Sequence, residues 1–493
     1  MDGAPRVSCV TPARRVAGRE VTTLDGLPDA TAGRWADALV AAGGSQCGFC
    51  TPGIIMRLAA LGAGPGSPPS APTVARVDQS LLAHLCRCTG WQTIEEATDQ
   101  VLGDPPAVAP VDRDLDAAGR RATLEGGSPQ RVGPAVALGH GGFADDGAPS
   151  DALVAVPDGG GGYVVADTLR DARARAGKVQ GRRTTVPPAH PVGVPPGDWT
   201  LTLATAWVEP AYVEPDASWC APGGTPASAC ANGGAFGGKR RSPVEGVARR
   251  LADQHGRPVR VLWSREDVVR LGPKRPPVAV GMAADGTGVL RLGVSGPAWD
   301  AGQLAACRSL VSAVAPGLVV EPVPVTGPPV SLDLRAAVWA EAAVVEAARR
   351  AGGVAGRPLV GVPVTVVSPS GGRAVATCRA DGSLSLELRG GEVLDEVVLR
   401  SFGIGAAHQA VGWVTSEGLA VDGDGVVGDL TVRSFGVLPA RAMPAVGVTV
   451  VDAPGAAPVN ASDAAFAAVA AARWLADGLP PAWPTGSVAP HPG

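Results

Sequence analysis

Four cysteines constrain this chain more than any other feature: Cys47-x-x-Cys50 and, after 35 further residues, Cys86-x-Cys88. A thiolate is a soft ligand, and four converging on one place suit tetrahedral zinc or an iron–sulfur cluster. Zinc ribbons usually repeat the C-x-x-C spacing in both halves, whereas the second pair here is tighter and puts two sulfurs on a sharp turn. Spacing alone leaves iron–sulfur, zinc and buried unliganded thiols all open. Each pair also runs into a helix start. Thr51-Pro52-Gly53 leads into the apolar run 54–61, and Thr89-Gly90 leads into 91–101. Thr as a cap and Pro in the first turn are ordinary start signals, and helix N-termini favour an anionic cluster.

The words Gly44-Ser45-Gln46-Cys47-Gly48-Phe49-Cys50-Thr51-Pro52-Gly53 and Leu85-Cys86-Arg87-Cys88-Thr89-Gly90-Trp91 closely resemble the second [2Fe–2S] domain of the molybdenum hydroxylases, the xanthine dehydrogenase and aldehyde oxidase family. That resemblance implies a small helical bundle lying against a molybdopterin, with Cys47, Cys50, Cys86 and Cys88 as the ligands of one [2Fe–2S] cluster. It also implies that Gln46 and Cys88 lie near the pterin, so that electrons pass from the pterin straight into the cluster.

Composition sets the outer limits. A net charge of −4 and a pI near 5.9, with no Lys/Arg cluster interleaved with aromatics, exclude a nucleic-acid footprint. Three lysines stand against 39 arginines, and we read this bias as genomic base composition rather than function. No apolar run reaches the ~18 residues a membrane span needs, and the N-terminus has no apolar core of a signal peptide. Nine cysteines in so long a chain do not form a secreted disulfide framework, so a reducing cytoplasm is expected.

The expected fold class is α+β multidomain, with an N-terminal all-α [2Fe–2S]-binding helical bundle followed by an α+β molybdopterin-binding-like region. Residues 1–28 resemble the end of a plant-type ferredoxin domain, in which Cys9 would be the fourth ligand of a first cluster. The C-x₄-C-x₂-C run that supplies the other three is absent, so one cluster is expected and Met1 reads as an internal start. Residues 29–104 are the helical domain, with apolar positions Trp35, Leu39, Val40, Val74, Val77, Leu81, Leu82 and Leu85 at helical spacing. Residues 105–195 are a linker and small α/β region: a strand at 163–166, a helix over 169–178 and a glycine turn at 159–162. Residues 196–493 are the molybdopterin-binding-like region. There the strands are expected at 200–203, 206–208 and 430–433, with alternating antiparallel strands over 360–400. The expected loop is 219–224, and the helices are 331–350, 404–413 and 464–476.

One further word bears on a cofactor: Asn232-Gly233-Gly234-Ala235-Phe236-Gly237-Gly238-Lys239-Arg240. Its glycines let backbone N–H groups approach an anion without side chains in the way. Gly233, Gly238 and Lys239 fit the spacing of a nucleotide P-loop, but Arg240 follows where Ser or Thr would hold magnesium. The choice lies between a structural glycine turn and a cofactor-facing loop. Together with Ser264-Arg265-Glu266-Asp267, the word resembles the family's molybdopterin segment. The resemblance implies cofactor contacts from Gly233, Gly234, Phe236, Gly237 and Gly238. Purine-oxidising members carry Glu after the loop's Lys; Arg240 stands here, so xanthine is not the expected substrate.

A molybdenum hydroxylase needs a general base beside the metal, and the family supplies a Glu just before its final helix. Here that place reads Pro458-Val459-Asn460-Ala461-Ser462-Asp463-Ala464, and no Glu follows Glu417. Asp463 is the nearest substitute, although with Ser462 it more naturally caps the helix. Arg335 would be a substrate anchor or an ion-paired arginine at a helix start, and His408 a packed histidine. Two functions follow. One is an oxidoreductase passing electrons from molybdopterin to the cluster, with a small-molecule substrate and a flavin- or ferredoxin-type acceptor. The other is a non-catalytic electron-transfer or assembly protein.

Overall fold

A computed structural model describes residues 1–63, 72–103, 112–177, 179, 186–230, 232, 239–296 and 299–487. Residues 1–28 form only three single-turn 3-10 helices, none of which buries a residue. Four helices then surround the cysteines: α1 (Asp29–Ala42), α2 (Thr51–Ala63), α3 (Val74–Leu81) and α4 (Gln92–Leu102). Gly43 ends α1 in the left-handed region, with φ at 75°, where L side chains are strained. The Thr73 hydroxyl caps α3 by accepting from the Arg76 N–H. The inward faces bury Trp35, Leu39, Ile54, Leu58, Val77, Leu81, Trp91 and Ile94 in one core.

Next come α5 (Leu115–Gly126), the short α6 (Pro134–Ala137), β1 (Leu153–Pro157), β2 (Tyr163–Ala166) and α7 (Leu169–Ala176). The β1–β2 hairpin turns through the expected glycines, because Asp158 Oδ1 accepts from the N–H of Gly160 and Gly162. The chain continues with β3 (Leu201–Thr205), β4 (Ala217–Cys220), α8 (Val244–His255), β5 (Val259–Leu262), α9 (Arg265–Leu271), β6 (Val278–Met282) and β7 (Gly288–Val294). It then forms α10 (Ala301–Val314), β8 (Leu318–Pro324), α11 (Trp339–Arg350), β9 (Val364–Val367), β10 (Arg373–Cys378) and β11 (Leu384–Arg389). The last elements are α12 (Glu396–Thr415), β12 (Val446–Val451), α13 (Ser462–Ala476) and β13 (Ala482–Trp483).

Among the described residues three sheets result, ordered β2-β1-β5-β4, β12-β11-β10-β9 and β13-β3-β6-β7-β8. Because β1 pairs parallel with β5, residues 153–157 share a sheet with strands a hundred residues on. The largest core lies around α11, α12 and α13. Seven alanines of α13, together with Phe466 and Trp474, are sealed there, and the small side chains let neighbouring backbones come close. Phe466 stacks on Trp413 of α12 at 4.9 Å between centroids.

Several expectations are corrected. Residues 217–220 are strand β4, because Trp219 and Cys220 pair with Arg260 and Val259. The helix expected from Ser331 starts at Trp339; Ala336 (φ 51°) and Val338 (φ 71°) hold a tight turn before it. Residues 430–433 are not a strand but lead into the single-turn helix Val432–Ser434.

Candidate metal centre

The loop between α1 and α2 carries Cys47 and Cys50, and the loop between α3 and α4 carries Cys86 and Cys88. These loops bring the four cysteines together although 35 residues separate the pairs. Cys88 Sγ lies 3.7 Å from Cys47 Sγ, and Cys50 lies within hydrogen-bonding reach of Cys86. Cys86 Sγ also sits 3.1 Å from the Thr89 hydroxyl. Hydrogen bonds from Cys50 and Thr89 push the Cys86 thiol down to about 6, against its burial. The hydrogen bond each donates, then burial, pushes Cys50 and Cys88 up. Among the described residues, no three His, Cys, Asp or Glu side chains form a group that could hold one metal ion. The four thiols stand instead as two pairs. All nine cysteines are free; Cys220, Cys230, Cys307 and Cys378 are buried elsewhere, and Cys9 is exposed.

Helix α12 backs both cysteine loops, and glycine lets it lie flush. A Cβ on Gly405 would come within 1.9 Å of the Cys88 carbonyl, and one on Gly90 within 2.8 Å of the Ile404 carbonyl. Polar contacts complete the seam. Gln409 Nε2 donates to the Arg87 carbonyl at 3.1 Å, and the Arg87 guanidinium forms two 2.6 Å hydrogen bonds to Glu417. His408 is buried, with Nε2–H donating to the Leu438 carbonyl at 3.0 Å. Burial and the neighbouring Arg87 charge push it down to about 4, so it is a neutral packed imidazole.

Gln46 is buried beside the pairs, its Nε2 donating to the Ser401 hydroxyl at 2.9 Å. A small cavity of about 10 Å³, room for one water, lies beside it. Gly233, Gly234, Phe236, Gly237 and Gly238 lie outside the described residues. Of their neighbours, Asn232 is bound to the Gly141 carbonyl and the Arg131 N–H. Lys239 is buried, with Nζ on the Pro215 carbonyl and 3.3 Å from Glu214. That lysine is spent inside the protein, unlike the lysine of a nucleotide loop.

Asp463 does not cap α13. Its carboxylate lies 3.0 Å from Arg335 and 3.7 Å from Arg240, while its N–H donates to Asn460 Oδ1. Arg335 is therefore a buried, ion-paired arginine that also donates to Gln409 and Ser462. The helix end is closed by a residue the sequence did not single out. Glu125, fully buried at the end of α5, accepts from the N–H groups of Ala461 and Ser462 and from Arg121 at 2.6 Å. Its only sequence signal was the i,i+4 pair with Arg121, which on an ordinary helix is a solvated contact.

Residues 23–99 match the protein family described as [2Fe-2S] binding domain. The xanthine dehydrogenase iron-sulfur-binding subunit of Escherichia coli O157:H7 is 39% identical over 97 residues, 19% of this chain and 58% of that protein. The nicotine 6-hydroxylase small subunit of Paenarthrobacter nicotinovorans is 41% identical over 98 residues, 20% of this chain and 56% of that protein. The matched stretch thus spans under two thirds of either relative. The aldehyde oxidoreductase from Desulfovibrio gigas shares the fold at 14% identity, with a TM-score of 0.63 over 96% of this chain and 91% of that one. Residues 23–99 are therefore similar to the [2Fe-2S] binding domain of the xanthine dehydrogenase iron–sulfur subunits, in a chain that resembles the molybdenum hydroxylases and has the fold of an aldehyde oxidoreductase.

Proposed function

We propose that this chain is an iron–sulfur oxidoreductase whose residues 29–104 hold one [2Fe–2S] cluster on Cys47, Cys50, Cys86 and Cys88. The two thiol pairs carry this reading. Two thiolates on one tetrahedral metal, each about 2.3 Å from it, lie about 3.8 Å apart, close to the Cys47–Cys88 separation. On this reading Cys47 and Cys88 share one iron, and Cys50 and Cys86 the other. A bound cluster supplies one-electron transfer. The chain's own residues exclude water with Trp91 and Leu81, orient the second pair through Thr89, and fix the loop by Arg87. The thiolates stay reduced in the cytoplasm, and a flavin- or ferredoxin-type protein is the expected class of acceptor.

The same reading gives the region around α13 a molybdopterin that would supply substrate oxidation. Arg240 and Arg335 converge there on the single carboxylate of Asp463. The buried Nε of Arg240 has no hydrogen-bond partner among the described residues, whereas Arg335 has Nε 3.0 Å from Asp463 and its other nitrogens on Gln409, Ser462 and the Glu125 carbonyl. An under-used guanidinium suits a phosphate-bearing group, so Arg240 and the 233–238 loop are the residues that would hold it. Gln46, whose Nε2 donates to the Ser401 hydroxyl, stays on this reading the residue beside the cysteines that faces the pterin. Asp463 lies against two cations and Glu125 is locked on a helix end, so no proton step is assigned to either. That second observation favours a carrier without substrate chemistry as the alternative. Metal analysis separates the two: molybdenum equal to protein supports the oxidising enzyme, and iron without molybdenum supports the carrier. In either case Cys86→Ser should remove the iron, and unchanged iron would contradict the ligand assignment.

A further inference from the structure

Cys86 is held differently from the other three clustered cysteines. It is buried, its Sγ lies 3.1 Å from the Thr89 hydroxyl, and the N–H groups of Cys88 and Thr89 bond to the same sulfur. Among the described hydrogen bonds no hydroxyl reaches Cys47, Cys50 or Cys88. The Thr89 oxygen already accepts from the Trp91 N–H at 3.3 Å. A metal-bound thiolate carries no proton, so in the loaded site the Thr89 O–H is the donor toward Cys86. The turn that presents this hydroxyl is strained and anchored. Trp91 stands at φ 72°, where an L side chain costs energy, and its buried indole is fixed by Nε1 donating to the Leu438 carbonyl at 3.1 Å. Arg87, between the two cysteines, has its charge balanced by Glu417, so it is not what sets Cys86 apart.

We propose that Thr89 is a positioning residue that raises the reduction potential of the centre, through the hydrogen bond from its hydroxyl to the Cys86 sulfur. The proposal rests on the cluster reading. Reduction adds one electron, breaks no bond and moves no proton; in a test, dithionite supplies the electron. The added negative charge is shared by the sulfurs, and a donor aimed at one of them stabilises the reduced state more than the oxidised one. The anchored turn holds the hydroxyl in place before the electron arrives, so the donor does not have to reorient on reduction.

The test uses the full chain, with iron and acid-labile sulfide measured beforehand, and follows the EPR signal of the reduced centre through a dithionite titration. Thr89→Val keeps the shape of the side chain and removes the donor. Its midpoint should be more negative, the reduction equilibrium weakened about tenfold, or about 59 mV for one electron. Thr89→Ser restores the hydroxyl and should recover most of that shift. Thr93→Val is the control: its hydroxyl is buried in the first turn of α4 with no hydrogen-bond partner among the described residues, and its loss should leave the midpoint where it was. An unchanged midpoint in Thr89→Val at full iron, or an equal shift in Thr93→Val, overturns the proposal and leaves the cluster reading standing. Loss of iron from both Thr89→Val and Thr89→Ala makes Thr89 a residue that holds the metal and likewise overturns the tuning role. A parent chain without iron overturns the cluster reading itself, and the proposal with it.

Discussion

Arg87, between two of the clustered cysteines, and Glu417, 330 residues later, form a fully buried bidentate ion pair with both hydrogen bonds at 2.6 Å. Burial pushes the Glu417 carboxyl up and the Arg87 charge pulls it back. The pair ties the cysteine loop to the far end of α12. Removing one partner leaves the other charged and buried. Arg87→Met should therefore cost about 3 to 5 kcal/mol in denaturant unfolding, and Arg87→Met with Glu417→Leu should recover most of it. A single variant within about 1 kcal/mol of the parent would show that the pair is not holding the seam.

Gly405 governs how closely α12 approaches the cysteines. A methyl group there would meet the Cys88 carbonyl at 1.9 Å, backbone that cannot yield cheaply. Gly405→Ala should destabilise by about 1 to 3 kcal/mol and speed iron loss to a chelator, whereas Gly423→Ala, with nothing within 4 Å, should do neither.

Glu125 closes the N-terminus of α13 and neutralises Arg121. Glu125→Ala should cost about 3 to 5 kcal/mol because it leaves a buried guanidinium without its counter-charge and orphans two N–H groups. Glu125→Gln keeps an acceptor and should cost less. Equal losses for the two, read as shifts in the unfolding midpoint, would remove the charge from the explanation.

Glu214 gives stability a pH dependence of unusual sign. Burial raises its carboxyl from 4.5 to about 7, although Lys239 pulls the other way. Between those values the folded state holds a proton that the unfolded state has released, so stability falls as pH rises from about 4.5 to 7. The effect of this site alone is about 3 kcal/mol by pH 8. Glu214→Gln should flatten that slope, and a parallel slope in the variant would assign it to another group.

The cysteine motif was legible because ligand spacing, caps and helical apolar periodicity all sit within some fifty residues of chain. The α13 helix was legible for a similar reason, its run of alanines being a local signal. What the sequence hid is long-range. Trp219 reads as loop beside its Pro and glycines, yet it pairs with Arg260 across the sheet. Asp463 stands at a helix start, where capping is the local expectation, but Arg335 and Arg240 arrive from distant elements and take the carboxylate. Glu125 lay more than 300 residues from the helix whose end it closes, so no window along the chain could have found it.

The most direct measurement of the central claim is iron, acid-labile sulfide and zinc on one digest of anaerobically purified protein. The account predicts two irons and two sulfides per chain with no zinc, the stoichiometry of one [2Fe-2S] cluster. Zinc near one per chain without labile sulfide would contradict it.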